Sequence, residues 1–337
     1  MMHYSDTDFN HKKILITGGA GFIGSNLAFY FQEHYPLSHI VVFDIFRNEE
    51  TFSNGNLKSF GHFKNLLGFK GEVIIGDIND EDALKKLSSY HFDYIFHEAA
   101  ISDTTVLDQA MMVKTNVNAF KSILELASTN NATVVYASSA ATYGDAPSPQ
   151  RVGFEQPGNV YGFSKLAMDH LAREFCANHP RMSVIGLRYF NVYGPREYFK
   201  NTTASMVLQL GLQILSGKTP RLFYGSDKIV RDFIYIEDVI QANIKAAVSG
   251  KSGVYNVGTG NPRSFQDIAD ILQRELETHL GTEYFSNPYK AYQMHTQADI
   301  ALTCKELGYA PRVSLEEGIK AYVPEIKRIF EQEVKHG

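Results

Sequence analysis

A tyrosine and a lysine four positions apart, Tyr161 and Lys165, are the residues whose types and spacing point most directly to chemistry. At the start of a helix these two side chains lie one turn apart on the same face. A phenol ordinarily has a pKa of about 10, and a neighbouring ammonium lowers it. The pair therefore suits a proton acceptor for a sugar hydroxyl, although the same spacing also occurs on ordinary surface helices.

A serine upstream of this pair completes a candidate catalytic trio. Ser139 follows an apolar run typical of a strand, and the helix with Tyr161 and Lys165 comes next. This order lets all three side chains face one cleft. The Ser139 hydroxyl would then bond a substrate oxygen, the Tyr161 phenol would transfer its proton, and Lys165 would hold a cofactor ribose and tune the phenol.

A glycine cluster near the N-terminus indicates where that cofactor binds. The apolar run 13–17 predicts a buried strand, and glycines follow it directly, before a helical pattern. Missing side chains let the backbone approach a pyrophosphate, and the helix N-terminus directs free N–H groups at it. Gly18, Gly21 and Gly24 are therefore candidate cofactor contacts, with a tight packing turn as the alternative.

The choice between NAD and NADP stays open from the sequence. Asp44 ends the second predicted strand, where a carboxylate suits the adenosine ribose, repels a 2′-phosphate and favours NAD. Arg47, Lys58 and Lys64 follow in a loop, where they would pair with that phosphate or would simply be solvated. Asp77, just after the third strand, suits either the adenine amino group or a plain loop cap.

Strand and helix patterns alternate along the first half of the chain. Apolar, β-branched runs predict six strands, at 13–17, 40–44, 72–76, 94–97, 133–137 and 183–187. Helical crossovers between them make a doubly wound parallel sheet. A ligand at the sheet's switch point has room beside the small residues after the fourth strand. The residues at that strand end are Glu98, Ala99, Ala100, Ile101 and Ser102, and a helix carrying Asn116 follows.

The pattern changes after residue 188 to turns, aromatic residues and charges. Further helices are expected at 204–216, 264–278 and 315–330, and the stretches 221–226 and 231–235 are expected to be paired short strands or loop edges. We expect a dinucleotide-binding domain at 1–188, with 231–260 packing back onto it, and a smaller substrate-binding lobe at 189–230 and 261–337. No Pro/Gly/Ser-rich linker separates the two parts, so they should share a rigid cleft.

Composition narrows the possible partners. The net charge of −5 gives no reason to expect nucleic acid, and no apolar run reaches the roughly 20 residues that span a bilayer. Met1 to Lys13 is polar and lacks a secretory apolar region. Cys176 and Cys304 are expected to be buried free thiols of a cytoplasmic protein, and the twelve histidines show no metal-ligand spacing.

The motifs together resemble the extended short-chain dehydrogenase/reductases, the family of nucleotide-sugar epimerases and dehydratases. The resemblance covers nearly the whole chain: the glycine loop, the strand-two acid, His97 to Ala100, Ser138 to Gly144, Tyr161 to Lys165, and Arg188 to Glu197. More selective are Ile101 to Thr105, Arg196 and Glu197 followed by Lys200, Thr203 to Met206, and Thr296 to Asp299. These resemble the branch that epimerises ADP-activated heptose at C6.

The resemblance implies a Rossmann-type fold and a reaction without net redox. C6 is oxidised to a ketone by a bound nicotinamide cofactor, NADP with NAD as the alternative, and the hydride returns to the opposite face. The two epimers present their hydroxyls from opposite sides, so the family uses two acid/base residues, and Tyr161 and Lys200 match them. A homo-oligomer, by resemblance a pentamer, and a supply of heptose for the lipopolysaccharide core are also implied.

Other roles are implied position by position. Cofactor contacts are implied at Phe22, Ile23, Ile45, Ile78 and Val192, besides Glu98 to Ser102. Substrate contacts are implied at Asn191, Phe223, Tyr224, Gly225, Ser226, Arg231 and Tyr292. This chain departs from the pattern at Gln209, where a histidine is typical, and at Thr202, where a serine is. The 47–71 loop is longer than usual.

Two alternatives remain. A dehydratase or another epimerase of UDP- or GDP-sugars would share this scaffold. A dehydratase is expected to carry an Asp-Glu pair two positions before the tyrosine or in the loop after the fifth strand, and that loop here is Ser138 to Thr142. A cofactor-binding scaffold without catalysis would have lost the tyrosine or the lysine, and both are present.

Overall fold

The chain folds around a parallel β-sheet flanked by helices. The computed structural model describes residues 2–287 and 293–335. The strands are β1 Lys13–Thr17, β2 His39–Asp44, β3 Glu72–Ile75, β4 Tyr94–His97, β5 Thr133–Ser139, β6 Val184–Tyr189, β7 Asn191–Tyr193, β8 Arg221–Phe223, β9 Val230–Arg231, β10 Phe233–Tyr235, β11 Gly253–Val257, β12 Arg263–Ser264 and β13 Glu283–Phe285. The helices are α1 Phe22–His34, α2 Glu81–Leu87, α3 Gln109–Met112, α4 Ala119–Ser128, α5 Val160–Asn178, α6 Met206–Leu215, α7 Ile236–Val248, α8 Phe265–Glu275, α9 Ala301–Leu307 and α10 Leu315–Ile329.

The main sheet has seven parallel strands in the order β11-β6-β5-β4-β1-β2-β3. This confirms the doubly wound Rossmann-type sheet, since the order reverses between β1 and β4, where the crevice opens. The prediction of six strands is wrong by one. The seventh, β11, pairs with β6 in parallel from Gly253 beside Ile185 to Val257 beside Tyr189. The sequence does not predict β11 because more than sixty residues separate it from β6 and interrupt the strand–helix alternation that identifies the other strands.

Helices cover both faces of the sheet. One face packs against α2, α4 and α5 through residues such as Leu84, Phe120 and Met168. The other packs against α1 and α7, through Leu27 and Ile240 among others, and this core continues without a break into α6, α8 and α10. Segment 231–260 therefore contributes both a helix and a strand to the Rossmann half. Burial on both faces explains why these strands are apolar runs without polar alternation.

Short strands tie the second half together. The stretches 221–226 and 231–235 do not pair with each other, contrary to expectation. Instead β8 pairs with β13, β9 with β12, and β10 with β7. Strand propensity in such short runs depends on neighbours distant in sequence, so the local pattern could not select the partner.

Helix ends follow local capping chemistry. The Ser205 hydroxyl accepts from Leu208 N and starts α6 at Met206, two residues later than the predicted 204. Ser264 and Ser314 form capping boxes with Asp267 and Glu317, which fixes the starts of α8 and α10. No helix within 2–287 or 293–335 is both long and apolar enough to cross a membrane.

A buried ion cluster joins the sheet to α5. Arg188 on β6 is fully buried, and its Nε and Nη2 donate to Asp169 Oδ2 at 3.0 and 2.7 Å, while Nη1 donates to Glu155 at 2.5 Å. The Tyr136 hydroxyl donates to the other Asp169 oxygen at 2.9 Å. Burial raises the pKa of the Asp169 carboxyl, and Arg188 opposes that rise. Because α5 carries Tyr161 and Lys165, this cluster holds the helix of the candidate catalytic residues on the sheet.

Replacing Arg188 with methionine should lower the free energy of unfolding by about 3–5 kcal/mol, because Asp169 is then buried without its cation. Urea denaturation followed by circular dichroism measures the loss. As a control, Arg221→Met breaks an exposed pair with Glu283 and should cost less than about 1 kcal/mol. Equal losses in the two variants would contradict the role of the cluster.

Candidate active site

A cleft opens at the carboxyl ends of β1, β4 and β5 and extends under the second half of the chain. Its volume is about 1310 Å³. Ser139, Tyr161 and Lys165 line it from one side, and Lys200 and Arg231 line it from the other. A cleft of this size has room for a dinucleotide and a nucleotide sugar together.

The glycine loop is shaped to accept a pyrophosphate. Gly18 has φ +67°, and a Cβ built there would meet the Ala99 backbone nitrogen at 2.7 Å, so only glycine fits. A Cβ on Gly24 would meet the Gly18 carbonyl oxygen at 2.4 Å. Gly21 caps α1 without a side-chain hydrogen bond, which leaves first-turn N–H groups of α1 facing the cleft. These observations fit a nicotinamide dinucleotide whose phosphates lie on the helix N-terminus.

The Asp44 carboxyl is turned into its own loop. One oxygen accepts from Ala20 N at 2.9 Å and the other from Phe46 N at 2.7 Å. Gly61 covers it so closely that a Cβ there would lie 2.1 Å from Asp44 Oδ1. Burial raises the pKa of Asp44, and the two backbone hydrogen bonds oppose that rise. Asp44 thus braces the glycine loop through one hydrogen bond to each of its oxygens.

The Tyr161 side chain sits at the start of α5 because Asn159 caps that helix, accepting from Gly162 N at 2.7 Å. Tyr161 is 8% exposed. Burial raises the pKa of its phenol, a hydrogen bond to Ser139 lowers it, and Glu98 raises it. The Lys165 ammonium donates to the Ala137 carbonyl at 2.7 Å and lies 5.9 Å from the centre of the Tyr161 ring, so its expected effect on the phenol stays a prediction.

A glutamate faces this lysine. Glu98 lines the cleft, and its Oε1 accepts from the Tyr189 hydroxyl at 2.9 Å, which in turn accepts from Asn243 Nδ2 at 2.9 Å. Within the described ranges its Oε2 has no hydrogen-bond partner. Burial raises the pKa of Glu98 to about 7 despite the opposing effects of Tyr189 and Lys165. Burial also lowers the pKa of Lys165 to about 8, against the pull of Glu98.

Lys200 enters the cleft from a 3₁₀ turn, Tyr198–Thr203, in the second half of the chain. Its ammonium lies 5.7 Å from the centre of the Phe22 ring, beside the glycine loop. Burial lowers the pKa of Lys200, while Glu197 raises it. Glu197 is fully buried and accepts from Gly194 N, Ser205 N and Ser205 Oγ at 3.1, 2.6 and 2.7 Å. This carboxylate holds both ends of the Lys200 turn.

Known proteins share this sequence pattern and this fold. A family model described as the NAD dependent epimerase/dehydratase family matches residues 14–258. The chain belongs to this family. It is 52% identical to the Helicobacter pylori ADP-L-glycero-D-manno-heptose-6-epimerase, over 97% of this chain and 99% of that one, with a TM-score of 0.88.

More distant structures of the family align over nearly the same length. A Thermotoga maritima UDP-glucose 4-epimerase with UDP-glucose is 27% identical, over 94% of this chain and 99% of that one, with a TM-score of 0.83. A Bacillus cereus UDP-glucuronic acid 4-epimerase with NAD is 26% identical over the same shares, with a TM-score of 0.80. The family scaffold thus accepts different nucleotide sugars, and the substrate must be argued from the site.

Most family positions marked from the sequence do meet in the cleft. The cofactor-side residues that line it are Gly18, Gly21, Phe22, Ile23, Gly24, Asp44, Ile45, Asp77, Ile78, Glu98, Ala99, Ala100, Ile101, Ser102, Lys165 and Val192. The substrate-side residues that line it are Ser139, Asn191, Thr202 and Arg231. Their convergence follows from parallel strands ending at one edge.

Other marked residues lie behind or beside the cleft. Asn116 is fully buried, and its amide bonds Ile101 N and O and Ser164 Oγ, so it joins the loop after β4 to the catalytic helix. Gln209 donates to the carbonyls of Thr202 and Ala204 beneath the Lys200 turn. The Arg47 backbone N–H donates to Gly61 O, and its side chain does not line the cavity.

The stretch Phe223 to Ser226 forms the end of β8 and the turn after it, beside the cavity lining. Tyr224 is exposed and stacks on Tyr284 at 6.0 Å, and Ser226 donates to Gln266. Tyr292 lies outside the described residues. Cys176 and Cys304 are free and only partly buried, not fully buried as expected. Among the described residues no cluster of three metal-binding side chains occurs.

Sequence reasoning missed several residues that shape the site. Glu197 belongs to a family motif but has no site role assigned from the sequence, although Lys200, three positions later, indicates that it has a charge partner. Phe52, Asn56 and Gly61 come from the 47–71 loop, which has no periodicity to reveal them, and they line the cavity. Tyr189 lies in the motif Arg188 to Glu197 but has no role assigned from the sequence, and the structure places it in β6 with its hydroxyl on Glu98.

The raised pKa of Glu98 makes a prediction about pH and stability. A carboxyl with a folded pKa of about 7 and an unfolded value of 4.5 binds more protons when folded, so its contribution to stability falls as pH rises through that window. The free energy of unfolding of Glu98→Gln should therefore match that of wild type near about pH 5 and exceed it by up to about 3 kcal/mol near about pH 7.5. Screening by water in the cleft reduces this difference.

Urea unfolding of both proteins at the two pH values checks this. Glu125→Gln, on the exposed side of α4, is the matched control and should show no such pH-dependent difference. A difference in the free energy of unfolding between Glu98→Gln and wild type that is the same at both pH values would show that Glu98 has the same pKa in the folded and unfolded chain.

Proposed function

We propose that this protein is an ADP-heptose 6-epimerase, which interconverts ADP-D-glycero-D-manno-heptose and ADP-L-glycero-D-manno-heptose with a tightly bound NADP. The observation that carries the proposal is that Tyr161 and Lys200 enter one cleft from opposite halves of the chain. The 52% identity to the Helicobacter pylori enzyme over nearly the full length supports this choice of substrate. A role in supplying heptose for the lipopolysaccharide core and a homo-oligomeric assembly, by resemblance a pentamer, belong to the same proposal.

Inverting C6 needs a proton taken on one side of the carbon and a proton given on the other. The nicotinamide ring, when bound, supplies the redox chemistry by taking the hydride from C6 and returning it after the ketone has turned. Two bases are needed because one side chain cannot reach hydroxyls on both faces. Tyr161 on α5 and Lys200 on its 3₁₀ turn supply one group for each face.

The protonation states of these two groups are complementary. Burial lowers the pKa of Lys200 and raises the pKa of Tyr161, so both are driven toward neutral forms. A neutral amine accepts the proton of one epimer's hydroxyl as C6 is oxidised, and a neutral phenol donates to the ketone oxygen as C6 is reduced. Ser139 orients that oxygen, and proton exchange with solvent resets both residues.

The substrate's diphosphate has a partner in Arg231. Its guanidinium lies 5.7 Å over the Phe265 ring at the cleft wall and also donates to the carbonyls of Val230 and Gln293. These contacts orient a fork of N–H groups, the geometry that suits phosphate oxygens. Arg231 thus anchors the nucleotide end while C6 turns between the two acid/base groups.

The choice of NADP rests on the ribose end of the cleft. Asp44, the residue that ordinarily selects NAD, accepts from Ala20 N and Phe46 N, and these N–H dipoles partly offset the repulsion between its carboxylate and a 2′-phosphate. Lys58 lines the cleft, and its Nζ donates to Glu50 Oε2 at 3.0 Å. Because this ion pair is exposed, breaking it so that Lys58 can bind a phosphate costs little free energy. Lys64 pairs instead with Glu333, away from the cavity lining.

The two-base proposal predicts the behaviour of conservative variants. Tyr161→Phe and Lys200→Met should each lower kcat by about 10³-fold or more, since removing a general acid or base typically costs 10²–10⁴-fold. NMR of the sugar anomeric signals, with ADP-D-glycero-D-manno-heptose as substrate, follows conversion. Full activity in the double variant would overturn the proposal, and turnover of a UDP-hexose without turnover of the heptose would reassign the substrate.

The cofactor is tested by denaturing the purified protein and identifying the released dinucleotide by mass spectrometry. NADP should predominate. Lys58→Ala should reduce the NADP content about tenfold or more, the loss expected for one charged contact to a phosphate, and leave NAD binding unchanged. Lys64→Ala is the matched control and should retain the wild-type content. Release of NAD alone would contradict the NADP assignment and leave the epimerase chemistry standing.

A further inference from the structure

The long loop of the cofactor-binding half reaches across the cleft. Residues 50–62, called the strap below, begin as a small hairpin in which Thr51 bridges Leu57, Phe52 N donates to Asn56 O, and Lys58 N donates to Glu50 O. Phe52 is 8% exposed and packs in one cluster with Ile101 and Tyr161. The strap thus has a fixed shape and is anchored beside the catalytic tyrosine.

Asn56 connects the strap to the Lys200 turn. Its Nδ2 donates to the buried Asp103 at 2.8 Å, on the loop after β4, and its Oδ1 accepts from Thr202 Oγ1 at 2.9 Å. Thr202 lies two positions beyond Lys200. A single amide therefore links the cofactor-binding half to the segment that carries the second acid/base residue.

His62 makes a second connection, on the other side of Lys200. Its backbone N–H donates to Ala20 O in the glycine loop at 3.0 Å. Its ring stacks face to face on Phe199, with centroids 3.6 Å apart and planes within 4°. Its Nδ1 accepts from Lys64 N at 3.1 Å, which fixes the ring's rotation. Phe199 directly precedes Lys200, so the strap contacts both flanks of that residue.

The Lys200 turn needs such support. Asn201 has φ 52° and ψ −124°, and Arg196 has φ 75°, conformations that non-glycine residues seldom adopt. Strained backbone of this kind persists only where surrounding contacts hold it. Glu197 supports the turn from its own half, and Asn56 and His62 support it from the opposite half.

We propose that Asn56 and His62 are positioning residues for Lys200, so that the strap sets the position of the second acid/base group relative to the cofactor. This inference rests on the proposed function, in which Lys200 transfers a proton at C6. Misplacing a reacting group by about 1 Å can cost about 10²-fold in rate, and the strap ties Lys200 to the glycine loop, which itself holds the cofactor.

The test compares variants in the full chain with ADP-D-glycero-D-manno-heptose. Asn56→Ala and His62→Ala should each lower kcat about tenfold, and together by about 10²-fold, with KM within about threefold and bound cofactor unchanged. His62→Phe keeps the ring stack and should restore kcat to within about threefold of wild type. Ser53→Ala, at an exposed position of the same hairpin, is the matched control and should behave as wild type.

Each result decides a separate point. If Asn56→Ala and His62→Ala match Ser53→Ala, or if cofactor content falls in step with kcat, the positioning role is overturned. If His62→Phe is as slow as His62→Ala, the ring stack does not act on Lys200. Should His62→Ala unfold, Asn56→Ala still decides. Lys200→Met is measured alongside: if it is fully active, the two-base function fails, whereas an inactive Lys200→Met with wild-type strap variants removes this inference alone.

Discussion

A charge removed from water needs a counter-charge, and this requirement shapes the chain from the sheet to the cleft. Lys165 faces Glu98, Lys200 faces Glu197, and Arg188 is bound by Asp169. Two of these pairs join different elements. Glu98 follows β4 and faces Lys165 on α5, and Arg188 on β6 binds Asp169 on the same helix, whereas Glu197 and Lys200 belong to one turn. The position of α5 on the sheet is thus held by charge pairs that would be costly to break.

These pairs also explain why the pKa values move in the directions they do. Burial acts on every charged group of the cleft, and each partner offsets only part of it. Lys165 stays cationic at neutral pH even with its pKa lowered to about 8, which suits a residue that holds a ribose. Burial also lowers the pKa of Lys200, and Glu197, which already accepts three hydrogen bonds from Gly194 and Ser205, opposes that shift.

The main sheet and its crevice could be predicted from the sequence because their signals are local. An apolar run followed by glycines and a helical pattern specifies one βα unit, and parallel strands then bring their carboxyl ends to one edge. β11 and the pairing of β8 with β13 could not be predicted, because strand pairing joins residues far apart in the chain. A short run such as 221–223 fits several partners equally well.

The features of the site likewise divide into those with a local sequence signal and those that depend on residues distant in the chain. Tyr161, Ser139 and the glycines were identifiable since each lies at a fixed offset from a strand or helix end. The orientation of Asp44 was not, because it depends on Gly61 closing over the carboxyl from a loop without periodicity. The bond of Lys165 to Ala137 O could not be predicted either, because it joins the helix to a strand backbone 28 positions away in the chain.

Rigidity differs between the two proposed acid/base residues, and this difference has a physical origin. Tyr161 stands on a nineteen-residue helix that is capped by Asn159 and held on the sheet by Asp169. Lys200 stands on a six-residue 3₁₀ turn with a non-helical residue inside it. A turn of that length cannot orient a flexible lysine by its own hydrogen bonds, since fixing each long side chain costs up to about 2 kcal/mol of entropy. Glu197 offsets part of that cost. The rest is offset by His62, which stacks on Phe199, and by Asn56, which bonds Thr202, and both come from the half of the chain that is proposed to bind the cofactor.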